Sequence, residues 1–276
     1  MAEIPQLGFL GAGKLATALA RGWIAAGFTS ADRIVGADPL PKAREAFASA
    51  ISAKTSADNR QTVRDCELLI LSVKPQMLAP VLAEIKSELT AKQLVVSVVG
   101  GATLAQLTVG LGPKIRVVRV LPNTASLVGA GATAISPGES ATAEDTQLVE
   151  RMFAAVGVVH RLPEKLLDAV TGLSGSGPAY VALVIEALSD GGVRVGLPRD
   201  VATALAAQTV LGTAKMVLEA SLSPLTIKEM VASPGGTTIA GLHAMERGGV
   251  RAALMDAVVA ASIRAEELGK EAGKMK

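Results

Sequence analysis

The stretch "GFLGAGKLATALARG" at 8–22 constrains the fold of this chain more than any other. A short apolar run ends at Gly11, a second glycine follows at Gly13, and helical spacing then continues to a stop at Gly27. With Ala16 this is a G-x-G-x-x-A fingerprint set between a strand and a helix, the context that a dinucleotide requires. Gly11 permits the tight turn, Gly13 removes a side chain where the backbone approaches a pyrophosphate, and Ala16 lets the helix lie close to the strand. The helix N-terminus offers unpaired N–H groups to the phosphates. Gly11, Ala12, Gly13, Lys14 and Leu15 are therefore the candidate pyrophosphate loop.

The rest of the N-terminal half repeats the alternation. "RIVGA" (33–37), "ELLILSV" (67–73), "LVVSVV" (94–99) and "IRVVRVL" (115–121) are apolar runs of strand length. Such near-continuous runs mark strands buried on both faces of a parallel sheet. "PKAREAFASAI" after the second run is helical, and so is "EDTQLVERMFAAVG" (144–157), with Gly157 as its expected stop. The pattern predicts an α/β, Rossmann-type doubly wound domain over 1–162. From 163 the strand-like runs vanish and Ala, Leu and Val recur at helical spacing to 276, with Pro198 in a first helical turn. Several of these helices are apolar on more than one face, so this all-α half is expected to bury surface against a second copy of the chain.

The composition excludes other classes. One Trp, one Tyr and four Phe are too few for stacking platforms, and 27 basic against 25 acidic residues give no polyanion-binding surface, so no nucleic-acid partner is expected. The uncharged stretch 94–112 holds four glycines and several polar residues and reads as a buried strand, a loop and a short helix, with no membrane partner expected. The lone Cys66 cannot form an intrachain disulfide, and no signal-like segment opens the sequence, so a cytoplasmic location is expected.

The second strand ends in "VGADP", about 22 residues beyond the fingerprint. Asp38 there can accept from the ribose hydroxyls and repel a 2′-phosphate, which favours NADH over NADPH. Lys42 and Arg44 can offset that repulsion, and Asp38 can instead cap the following helix. Groups for other chemistry are scarce. His160 and His243 are the two histidines, no metal-binding spacing or nucleophile elbow occurs, and Cys66 precedes a buried strand. What remains are small polar residues in glycine-rich stretches: Ser174, Ser176, Ser233, Thr237 and Thr238. Hydride transfer suits them, since a cofactor carries the reactivity and the protein supplies orientation. Ser174 and Ser176 can alternatively cap the helix that follows.

Six blocks, "GFLGAGKLA" (8–16), "SVKPQ" (72–76), "LPNTA" (121–125), "TGLSGSGPAYV" (171–181), "AAQTVLGTAKMVLE" (206–219) and "SPGGTTIAGLHAME" (233–246), resemble the pyrroline-5-carboxylate reductases. The resemblance implies a Rossmann domain followed by a helical dimerisation domain, with dimers often assembled into rings. It implies an NADPH- or NADH-dependent reduction of a cyclic imino acid, with no metal. By position, it implies that Asp38, Asn59, Ser72, Val73, Lys74 and Pro75 contact the cofactor, with Val98, Val99 and Gly100 near the nicotinamide. Glu164, Ser176, Gly235, Gly236, Thr237 and Thr238 would bind the substrate, Thr238 near the ring nitrogen as the catalytic residue. N–H groups of Gly235, Gly236 and Thr237 are expected to form an anion-binding nest. The chain departs from the family in Asp38, "LPNTA" and "VVGG", which bear on cofactor preference and on the nicotinamide side. The alternatives are a small β-hydroxyacid-type dehydrogenase, whose catalytic lysine would be Lys215, and a non-catalytic dinucleotide sensor.

Overall fold

The structure, a computed structural model, describes residues 5–274. Eight strands form one sheet in the order β3-β2-β1-β4-β5-β6-β7-β8. The strands are β1 (Leu7–Leu10), β2 (Ile34–Ala37), β3 (Lys54–Ser56), β4 (Leu68–Leu71), β5 (Leu94–Ser97), β6 (Arg116–Leu121), β7 (Gly131–Pro137) and β8 (Gly157–Arg161). The first six run parallel, β7 is antiparallel to β6, and β8 is parallel to β7. The chain leaves β1 for β2 on one side and later returns to β4 on the other, which creates a switch point at the end of β1. Parallel pairing needs crossovers, supplied by α1 (Lys14–Ala25), α2 (Pro41–Ile51), α3 (Asn59–Asp65), α4 (Leu78–Ile85) and α5 (Leu104–Leu111). Helix α6 (Ala143–Ala154) joins β7 to β8 and opens on a capping box between Thr142 and Asp145.

The strand period of two sends alternate residues to opposite faces of the sheet. Phe9 faces one side with Trp23, Phe47 and Phe153, at ring centroids of 5.5–5.7 Å. Leu10, Leu69, Leu71 and Val95 face the other, against α4 and α5. Each such buried side chain contributes about 1.5–3 kcal/mol.

The five expected strands are present, whereas β3, β7 and β8 carry no clear apolar run. Helix α6 ends at Ala154, and Gly157 is not its stop but the first residue of β8. A Cβ at Gly157, where φ is +151°, would overlap the Gly131 backbone of β7, so a close strand approach accounts for this glycine. The uncharged stretch 94–112 contains β5, a turn and α5, with β5 fully buried.

The later residues form α7 (Leu167–Val170), a π-helical turn at Thr171–Gly175, α8 (Gly177–Arg194), α9 (Arg199–Leu218), α10 (Pro224–Val231), α11 (Thr237–Arg247) and α12 (Val250–Lys274). Pro198 is the N-cap of α9 and lies one residue before its first turn. Helices α8 and α9 pair, with the Ser189 and Thr203 hydroxyls 2.8 Å apart. Among the described residues, α9 is the helix long and apolar enough to cross a membrane by length and composition. Two compact units result: Ser176–Ala260 forms one, and the described residues up to Gly175 together with those from Ala261 form the other. Composition changes at 162/163, while packing divides the chain at 175/176 and again at 260/261.

Candidate functional site

The glycine-rich turn sits at the carboxyl end of β1, beside the end of β4. Gly11 has φ of +99°, and a Cβ there would lie 2.8 Å from the Ser72 carbonyl oxygen. Ser72 locks this approach, as its N–H donates to Leu10 O at 2.9 Å and its hydroxyl to Gly11 O at 2.7 Å. Space around Gly13 is open, and Gly13 is the N-cap of α1 without a side-chain cap bond. The first-turn N–H groups of Lys14, Leu15 and Ala16 therefore have no acceptor among the described residues, while Thr17 N–H donates to Gly13 O. A cavity of about 620 Å³ adjoins the loop, bounded by Gly13, Lys14, Arg21 and Lys42 among others. This donor-rich, cation-lined loop fits the pyrophosphate of a dinucleotide.

Asp38 lies just past β2, and both of its oxygens are engaged. Oδ2 accepts from Ala12 N–H at 3.1 Å and Oδ1 from Leu40 N–H at 2.9 Å. The carboxylate braces the glycine-rich turn and closes a local turn, while the N-cap of α2 is Leu40. Arg44 is held by the Asp38 carbonyl at 2.7 Å. Asn59 opens α3 and donates to Glu84 Oε2 at 2.9 Å. Val73 is half-buried, and Lys74 and Pro75 are exposed beyond β4. The side chains of Val98 and Val99 are buried in the core, whereas Gly100 is exposed.

Glu164 projects from a short turn ahead of α7. Its Oε1 accepts from Leu104 N–H at 2.7 Å and from Arg119 Nη1 at 2.8 Å. Asn123, which sequence reasoning missed as a site residue, donates to Ser174 O at 3.0 Å and accepts from Ala132 N–H at 3.0 Å. It ties the π-helical turn of the "LSGSG" block to the end of the sheet. The Ser174 hydroxyl donates to Val170 O and caps nothing, and Ser176 occupies the N-cap of α8 without a side-chain cap bond. The signal for Asn123 was present in "LPNTA", but its partner is 51 residues away.

In the second unit, Gly235 (φ +70°) and Gly236 form the turn before α11, and Thr237 and Thr238 are its first two residues. The "SPGGTTIAGLH" stretch is thus a turn and a helix start. The expected nest does not form as read, because Gly236 N–H donates to Ser233 O at 3.0 Å. Among the described residues the donors left without an acceptor are the first-turn N–H groups of α11, starting at Thr237, which suit an anion. Thr238 is half-buried. A cavity of about 890 Å³ lies along α11, bounded by Gly235, Gly236 and His243 among others. Lys215 is exposed on α9 and pairs with Glu219 at 3.3 Å. Burial pushes the Cys66 thiol up to about 12.

Known proteins resemble this chain along nearly its whole length. Residues 164–268 match the family described as "Pyrroline-5-carboxylate reductase dimerisation", and residues 6–101 match that described as "NADP oxidoreductase coenzyme F420-dependent". A protein of Methanosarcina acetivorans named pyrroline-5-carboxylate reductase is 46% identical over 269 residues, covering 98% of this chain and 100% of its own. The solved pyrroline-5-carboxylate reductase of Coxiella burnetii superposes with a TM-score of 0.90 at 35% identity, over 96% of this chain and 99% of that one. That of Plasmodium falciparum, solved with NADP bound, gives 0.87 at 32% identity, over 97% and 99%. With the glycine-rich turn at the switch point, the helical half and this full-length likeness together, the chain belongs to the pyrroline-5-carboxylate reductase family.

Proposed function

We propose that this chain is a pyrroline-5-carboxylate reductase, delivering hydride to the C=N carbon of 1-pyrroline-5-carboxylate to give L-proline. The observation that carries the reading is the full-length likeness to the Methanosarcina protein of that name, with the fingerprint loop open at the end of β1. A nicotinamide dinucleotide bound there supplies the hydride. The N–H groups of Lys14, Leu15 and Ala16 hold the pyrophosphate, while Asn59 and the Ser72–Pro75 and Val98–Gly100 segments border the cofactor. The N-terminal turn of α11 binds the substrate carboxylate through Thr237, and the Thr238 hydroxyl oxygen accepts from the N–H of the protonated ring nitrogen. Glu164 and Ser176 complete the substrate contacts. A protonated imine accepts hydride without a further acid, consistent with small hydroxyl groups as the polar equipment of this region.

The sequence favours NADH through Asp38. In the structure that carboxylate is occupied by two backbone donors, and Lys14, Arg21 and Lys42 line the adjoining cavity, which supports a 2′-phosphate. Both cofactors are accepted on this reading. Residues 1–162 bind the dinucleotide and 163–276 bind substrate and pair copies of the chain, with dimers joining into rings. The unpaired, buried Cys66 supports a cytoplasmic site of action.

The test is the initial rate of cofactor oxidation with 1-pyrroline-5-carboxylate, with NADH and NADPH in parallel. Turnover is expected with both, and none with either would overturn the reading. Thr238→Ala is expected to lower kcat/KM about tenfold or more, equivalent to about 1.4 kcal/mol of lost transition-state stabilisation. Kinetics equal to the parent chain would remove Thr238 from its role.

A further inference from the structure

Strand β6 reads "RVVRVL", and its two arginines meet different surroundings. Arg116 stays partly exposed, with Nη1 2.6 Å from Asp145 Oδ1 and Nη2 2.5 Å from Lys92 O. Arg119 is buried, 5% exposed, between Val118 and Val120 in the sequence of an otherwise apolar strand. Nothing in the packing of a sheet requires a guanidinium there, and a buried charge is retained only if it is paired. Its partner is Glu164 Oε1 at 2.8 Å, across 45 residues of chain. The same oxygen accepts the Leu104 N–H at 2.7 Å, which belongs to the first residue of α5, just after the Val98–Gly100 segment. Among the described residues, Glu164 Oε2 has no partner, and the side chain keeps 31% of its exposure. One oxygen is held by two donors and the other is left free.

We infer that Arg119 is a positioning residue that acts on substrate through Glu164. By holding Oε1 in place, together with α5, it leaves Oε2 in one orientation as the acceptor for the imino acid. The inference rests on the assignment of Glu164 to substrate binding made above. It adds that this assignment depends on a buried arginine that never touches the substrate.

The test compares Michaelis constants for the imino acid and the dinucleotide in Arg119→Met, Glu164→Gln, the double variant and Arg116→Met. Arg119→Met is expected to raise the imino-acid KM about tenfold while the dinucleotide KM stays within about twofold. Arg116→Met breaks a comparable ion pair on the same strand and is expected to lower Tm without moving either KM. In the double variant the charge and its partner are removed together, which avoids an unpaired buried charge. Its imino-acid KM is expected to match that of Glu164→Gln alone. A folded Arg119→Met with unchanged imino-acid KM beside a raised value in Glu164→Gln overturns the positioning role, as does a double variant well above Glu164→Gln. An unchanged KM in Glu164→Gln removes the substrate role of Glu164 and the inference with it, while leaving the reductase reading to the rate assay.

Discussion

Gly11 is the position where one atom changes the outcome. With φ at +99° and the Ser72 carbonyl 2.8 Å from where a Cβ would sit, Gly11→Ala meets both strain and a backbone clash. Strain of this kind costs about 1–3 kcal/mol, and relief requires the turn to move away from the phosphate-binding geometry. Gly11→Ala is expected to weaken dinucleotide binding at least about tenfold in a titration of cofactor fluorescence, a loss of about 1.4 kcal/mol. Affinity equal to the parent chain would show that the turn relaxes without cost. Cys66 shows the opposite behaviour, a reactive group kept inert. It is buried beneath Gly8 at the start of the sheet, and its thiol is pushed from 9.0 up to about 12. Because the folded value is raised, the neutral thiol is favoured by folding below pH 9, and that contribution is lost as pH rises from about 9 to about 12. The native chain is expected to release no thiol signal to a disulfide reagent at pH 8 and one equivalent after denaturation.

At the scale of elements, the last two strands show how a sheet extends where hydrophobic periodicity is weak. β7 and β8 pair over five residues from Gly131↔Gly157 to Ile135↔Arg161. Their first pair is two glycines in contact, since a Cβ at Gly157 would overlap the Gly131 carbonyl. Gly157→Ala is expected to lower stability by about 2 kcal/mol or more, read as a fall in Tm, because the new Cβ meets only backbone atoms of Gly131, which cannot rotate away. A Tm within about 1 °C of the parent would show that the strands can part there at little cost. Strands such as β4, "LLIL", were legible because burial on both faces leaves an apolar run. β3, "KTS", and β7, "GATAISP", were not, because a short exposed edge and small or polar residues leave none. Helix α11 was hidden for a related reason: its N-cap is Gly236 with no side-chain cap bond, so "SPGGTT" reads as a loop until the backbone shows the helix starting at Thr237.

At the scale of the molecule, large apolar residues left exposed gather in the helical half. Leu183, Leu205, Leu211, Leu218, Met255 and Val259 are examples, the first four on α8 and α9. A single copy cannot cover such a surface, and the matched dimerisation family gives it a partner in a second copy. Sedimentation is expected to show a dimer or larger, and Leu205→Glu combined with Leu211→Glu to shift it towards monomer; a parent chain that sediments as a monomer would overturn this. The alternation of strand and helix, the fingerprint at Gly11–Ala16 and the apolar surplus after 163 were determined by sequence alone, because each depends on neighbours within a few turns of chain. Which groups meet was decided only by the tertiary structure. Asp38 braces Ala12 across 26 residues, Glu164 takes Arg119 across 45, and Asn123 reaches Ser174 across 51. A buried polar group must find a partner wherever the fold brings one, and no local period records that choice.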